Sequence, residues 1–117
     1  MDKILIDISK IIQRILSNNK VPLNKIILFG SRAKGTNFYN SDFDLLLMIE
    51  IKLNRTQKAV LAKKIRNELA DLYLKNRITS GTDIIIRTPA EAEEFRSLAF
   101  SVTAQALKEG KVIWPLK

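Results

Sequence analysis

The chain lacks cysteine and histidine altogether, and its 117 residues include only four glycines, three prolines and 7% aromatics. Without cysteine there is no disulfide framework, no iron–sulfur cluster and no thiol nucleophile. Without histidine there is no imidazole base, and the usual zinc sites are excluded. Any metal must be held by oxygen, which points to magnesium, calcium or manganese. Uncharged apolar runs are short as well, none approaching the roughly 18 residues of a membrane span. Asp2, Asp7 and Lys10 break the apolar N-terminal stretch, so it does not have the layout of a signal peptide. The expectation is a cytoplasmic protein with no membrane partner.

What is present describes one folded unit. The length suits a single domain spanning residues 1–117, and 46% hydrophobic residues spread from Ile4 to Trp114 exclude disorder. Ile4, Leu5, Ile8, Ile11, Ile12 and Ile15 fall at helical spacing between Asp2 and Asn18. Lys25 to Phe29 is a short apolar run stopped by Gly30 and predicts a buried strand. A short helix is expected from Ser31, then a loop to Ser41, then a second strand from Asp42 to Ile49. Asn54 is placed to cap a long helix carrying Val60, Leu61, Ile65, Leu69 and Leu72 on one face. Asp83 to Ile86 predicts a third strand. Thr88 and Pro89 open a last helix that closes near Gly110, and Val112 to Trp114 forms a terminal strand. The expected fold is α/β, a small mixed sheet of about four strands flanked by helices.

The chemistry concentrates in one segment. Gly30-Ser31 is followed by ten residues and then by Asp42-Phe43-Asp44. Alternate side chains of a strand share a face, so Asp42 and Asp44 project together, with Cα atoms roughly 6.5 Å apart. Two carboxylates aimed at one space repel unless a positive group lies between them, a place that one or two divalent ions can fill. Phe43 points the other way, into the core. Asp83 joins the cluster if its strand lies beside Asp42–Ile49. A helix starting at Ser31 directly after a strand favours phosphate, with Arg32 and Lys34 adding charge and Gly30 and Gly35 allowing close approach. A phosphate cradle next to a metal clamp describes phosphoryl or nucleotidyl transfer. Each element alone is also an ordinary turn or strand start. Together they fix four positions, which chance matches in this length with a probability on the order of 10⁻³. The order Gly-Lys-Thr of a P-loop is absent.

The segments Leu28-Phe29-Gly30-Ser31-Arg32-Ala33-Lys34-Gly35 and Ser41-Asp42-Phe43-Asp44-Leu45 resemble the signature of the DNA polymerase β-like nucleotidyltransferases. More narrowly, they resemble the minimal nucleotidyltransferase (MNT) domains, and Asp83-Ile84-Ile85-Ile86-Arg87-Thr88-Pro89 and Leu107-Lys108-Glu109-Gly110-Lys111-Val112 extend the likeness over nearly the whole chain. The resemblance implies magnesium-dependent transfer of a nucleoside monophosphate from a triphosphate, ATP, onto a hydroxyl. It further implies an antitoxin that silences a HEPN-domain toxin by adding AMP to a tyrosine. Carried over by position, Asp42 and Asp44 hold two Mg²⁺ ions (Mn²⁺ able to substitute), and Asp83 ligates one and helps remove the acceptor proton. Gly30 and Ser31 bind the β- and γ-phosphates, assisted by Arg32 or Lys34. Phe43 departs from the family's commoner aliphatic residue.

Lysine and arginine outnumber aspartate and glutamate 20 to 12, a net charge of +8, and the excess is concentrated in residues 52–77. A solvated helix face is the commoner meaning of such a run; an acidic partner or RNA is the alternative. No aromatics interleave with these cations, which argues against single-strand binding by stacking. Besides a protein adenylyltransferase, two readings stay open: an antitoxin that acts by contact alone, and a transferase acting on RNA or a small molecule.

Overall fold

The computed structural model describes residues 1–98 and 100–116. Helix α1 (Lys3–Asn18) leads into strand β1 (Leu23–Phe29), the one-turn helix α2 (Ser31–Lys34) and strand β2 (Phe43–Ile49). Helix α3 (Arg55–Lys75), strand β3 (Thr82–Arg87), helices α4 (Pro89–Arg96) and α5 (Val102–Glu109), and strand β4 (Lys111–Trp114) complete the chain. The strands form one sheet in the order β3-β2-β1-β4. β1 runs antiparallel to both β2 and β4, whereas β2 and β3 are parallel, as the long α3 crossover between them allows.

Alternation along β2 divides the core in two. Phe43, Leu45, Leu47 and Ile49 pack with Ile8, Ile12, Leu16, Ile65 and Leu69 of α1 and α3. Leu46 and Met48 pack with Ile27, Phe29, Ala92 and Ala106 on the side of α4 and α5. A strand covered on both faces needs a continuous apolar run, and Leu45 to Ile49 supplies five buried residues in succession. At about 1.5–3 kcal/mol for each large side chain buried, this run anchors β2 firmly between the two layers of helices. Asp44 sits directly at its end.

Helix α3 starts at Asn54 as expected, with reciprocal bonds between Asn54 Oδ1 and the Gln57 N–H and between Gln57 Oε1 and the Asn54 N–H, both 2.8 Å. Its buried face is Leu61, Ala62, Ile65, Leu69 and Tyr73; Val60, expected on that face, is exposed. The last helix differs more. One helix was expected from Pro89 to near Gly110, but there are two, each with its own cap: Thr88 accepts from the Glu91 N–H, and Ser101 from the Ala104 N–H. Position 99, inside the expected helix, lies outside the described residues. A continuous helix of that length would run about 30 Å, past strands of about 20 Å. Helix α4 ends at Ser97, and the Ser101 side chain caps the start of α5. Among the described residues no helix is long and apolar enough to cross a membrane.

Candidate active site

Strand register brings the acids together. Phe29 of β1 pairs with Asp44 of β2, and Asp44 pairs with Asp83 of β3. Paired residues on neighbouring strands lie about 4.8 Å apart and share a face, so Asp44 and Asp83 stand side by side at one end of the sheet. Gly30 follows Phe29 directly and begins α2 with φ +74°. A Cβ at Gly30 would overlap Asp44 Oδ2, so the Gly30-Ser31 turn lies against the carboxylate because glycine has no side chain. Asp42, just before β2, is exposed and accepts a 2.9 Å hydrogen bond from the Gly81 N–H.

The electrostatics follow from this crowding. Burial, a hydrogen bond with Asp83 and repulsion from Asp83 and Asp42 push the Asp44 carboxyl up to about 6. Among the described residues no three carboxyl, imidazole or thiol groups converge as a formed cation site; Asp42 is turned to the Gly81 N–H. The donor set itself suits a hard divalent ion: oxygen ligands only, two of them adjacent, one raised in pKa by burial and by neighbouring negative charge. A cation there would offset the negative charge that Asp83 and Asp42 place around Asp44.

Arg32 and Lys34 are both engaged. The Arg32 guanidinium donates from Nε to the Ser41 carbonyl at 2.8 Å and from Nη2 to Ser80 Oγ at 3.0 Å and the Tyr39 carbonyl at 3.2 Å. It also lies 4.0 Å from the centroid of the Phe43 ring. That ring stacks on Tyr73 at 5.1 Å, and the Tyr73 hydroxyl bonds Thr82 Oγ1 at 2.7 Å. The stack Arg32–Phe43–Tyr73–Thr82 thus ties α2, β2, α3 and β3 together beneath the carboxylates. Lys34 forms a 2.9 Å ion pair with Glu109, joining α2 to the end of α5. Gly81, Tyr73 and Thr82 were not singled out in the sequence. Gly81, directly before Thr82-Asp83, was the one readable signal.

Replacing Arg32 by Ala should remove about 2 kcal/mol of stability, from its hydrogen bonds and its contact with Phe43. Arg32→Lys should recover little of it, because an ammonium cannot reproduce the three-way fork. Urea denaturation of both variants checks this; a stable Lys variant would show that charge alone matters.

A glycine–serine turn facing strand-borne carboxylates at the end of a mixed sheet is the arrangement of enzymes that transfer phosphate-bearing groups. The chain belongs to the polymerase beta nucleotidyltransferase family, whose model matches residues 10–115. Among solved structures, a chain of the Shewanella oneidensis complex of tri-AMPylated HEPN toxin with MNT antitoxin is 23% identical, with TM-score 0.50, covering 93% of this chain and 70% of that one. A Sulfolobus solfataricus protein assigned as a nucleotidyltransferase is 18% identical with TM-score 0.51, covering 97% and 89%. A toxin–antitoxin complex with AMP-PNP shows 27% identity, TM-score 0.49 and coverage of 92% and 73%. No curated protein sequence matches.

Proposed function

We propose that this chain transfers AMP from ATP, with magnesium, to a tyrosine hydroxyl of a HEPN-domain partner and thereby acts as its antitoxin. The observation that carries the reading is the register Phe29–Asp44–Asp83, which sets the Gly30-Ser31 turn against two adjacent acids inside a nucleotidyltransferase fold. Gly30 and Ser31 receive the β- and γ-phosphates, with Lys34 near the same turn. Arg32 holds the turn in place through Ser41, Ser80 and Phe43 rather than grasping phosphate. Asp42 and Asp44 would hold two magnesium ions, which would neutralise phosphate charge, and Asp83 would share one of them. The Gly81 N–H engages only Asp42 Oδ1, which leaves Oδ2 for a metal ion.

The acceptor oxygen attacks the α-phosphorus, the bond from that phosphorus to the bridging oxygen breaks, and pyrophosphate departs. Asp83, exposed at the start of the outermost strand, takes the acceptor proton. Each AMP added to the partner brings negative charge, which would repel RNA from a ribonuclease site.

Intact mass of a co-purified partner tests this. With magnesium and ATP the partner should gain one or more AMP units. Asp83→Asn should still bind the partner but leave its mass unchanged. If that variant neutralises the partner as well as the native chain does, with no mass gain in either case, the chain acts by contact alone.

A further inference from the structure

The acceptor-bearing segment has a place to lie. β3 is an edge strand, paired among the described residues only with β2; its Ile84 and Ile86 pack toward one core and Ile85 toward the other, and its free backbone edge has none of the lysines, prolines or bulges that ordinarily protect such edges. A cleft follows this edge on each face. On the α3 side it is lined by Lys58, Ala59, Ala62 and Arg66. On the α4–α5 side, with a volume of about 550 Å³, it is lined by Phe95, Val102 and Arg87 beside Ile85. Lys58 is neutralised by Glu91 at 3.1 Å, which leaves Arg66 and Arg87 as the cations of the edge. Arg87 lies 4.8 Å from the Phe95 ring, and its Nε is buried with no hydrogen-bond partner among the described residues.

We infer that an extended acidic segment of the acceptor protein adds to β3 as a fifth strand and so delivers its hydroxyl to Asp83. This inference rests on the transferase reading and specifies how its substrate docks. Strand spacing of about 4.8 Å puts one residue of an added strand beside Asp83, on the face it shares with Asp44. The next residue on that face lies beside Ile85 and fills the apolar cleft. Residues beside Ile84 and Ile86 point toward Arg66 and favour glutamate or aspartate. A second copy of the chain fits poorly, since the net charge of +8 and both edge cations would face their equals.

The test uses the ¹⁵N-labelled full chain and a soluble peptide, acetyl-Val-Glu-Val-Glu-Tyr-Glu-Val-Glu-Val-amide, whose symmetry suits either strand direction. Saturable shifts at the Ile84, Ile85 and Ile86 amides are expected, with affinity about 10-fold lower in Arg66→Glu and no binding of the lysine-for-glutamate peptide. Equal binding of the lysine peptide, or no saturation at ~1 mM peptide, overturns the inference. So do edge shifts that depend on protein concentration without peptide, which would assign the edge to a second copy. Adding magnesium and ATP separates the two claims. Edge shifts without AMP on the tyrosine uphold docking and count against the transferase reading; AMP on the tyrosine without edge shifts overturns docking alone.

Discussion

Asp44→Asn is expected to abolish nucleotidyl transfer, about 10³-fold or more, while making the chain more stable above about pH 7. The two effects share one cause. In the folded chain the Asp44 carboxyl is raised from its ordinary 3.8 to about 6 by burial and by Asp83 and Asp42. The folded state therefore binds the proton more tightly than the unfolded state. The resulting stability is fully present below pH about 4 and is lost as pH rises through about 6. At neutral pH the ionised group opposes folding, by about 1 kcal/mol once solvent screening of a half-exposed site is allowed for. Asparagine removes that opposition and, with it, an oxygen ligand that carries charge. Melting curves from pH 4 to about 8 should rise toward acid for the native chain and lie flatter for Asp44→Asn. Magnesium with a triphosphate should stabilise the native chain and not the variant. A collapse of the variant's melting temperature would make Asp44 a structural group.

Gly30→Ala should be the most damaging change outside the acids. Alanine at φ +74° costs about 1–2 kcal/mol, and its Cβ would push the Asp44 carboxylate out of place. Together these should remove about 3 kcal/mol and reduce transfer about 10²-fold or more. Gly35 provides an internal control. It has the same φ of +74° but a left-handed ψ of 15° against −157° at Gly30, and a Cβ there meets nothing within 4 Å. Gly35→Ala should show the smaller backbone cost of the left-handed region, without a clash, and retain most activity. Equal activity losses in the two variants would mean that the approach of Gly30 to Asp44 is irrelevant.

Periodicity and capping made most of this fold legible. The five-residue apolar run of β2 announced a strand covered on both faces, and Asn54 and Thr88 marked helix starts through backbone N–H groups that any helix leaves unpaired. The spacing of Asp42 and Asp44 suggests a shared face, but the acid that strand register sets beside Asp44 is Asp83, while Asp42 precedes β2 and accepts from the Gly81 N–H. The broken last helix was hidden because Ser97 and Ser101 are tolerated within helices. Val60 is exposed because, at 3.6 residues per turn, it lies about 135° around the helix from the mean of Leu61, Ile65, Leu69 and Leu72, whereas Tyr73 continues the buried face and meets Phe43 and Thr82. Arg32 looked like a phosphate ligand because positive charge beside a glycine–serine turn suggests one. Its commitment to Ser41, Ser80 and Phe43 depends on residues up to 48 positions away, which no local pattern contains.

The most direct measurement follows the phosphates of ATP. The chain and its partner are incubated with magnesium and ATP labelled on either the α- or the γ-phosphate, and the partner is then isolated. The site described here predicts α-label on the partner, with the γ-label released in pyrophosphate, and neither label transferred by Asp44→Asn. Transfer of the γ-label to the partner, or no transfer of either while the partner is still neutralised, would contradict it.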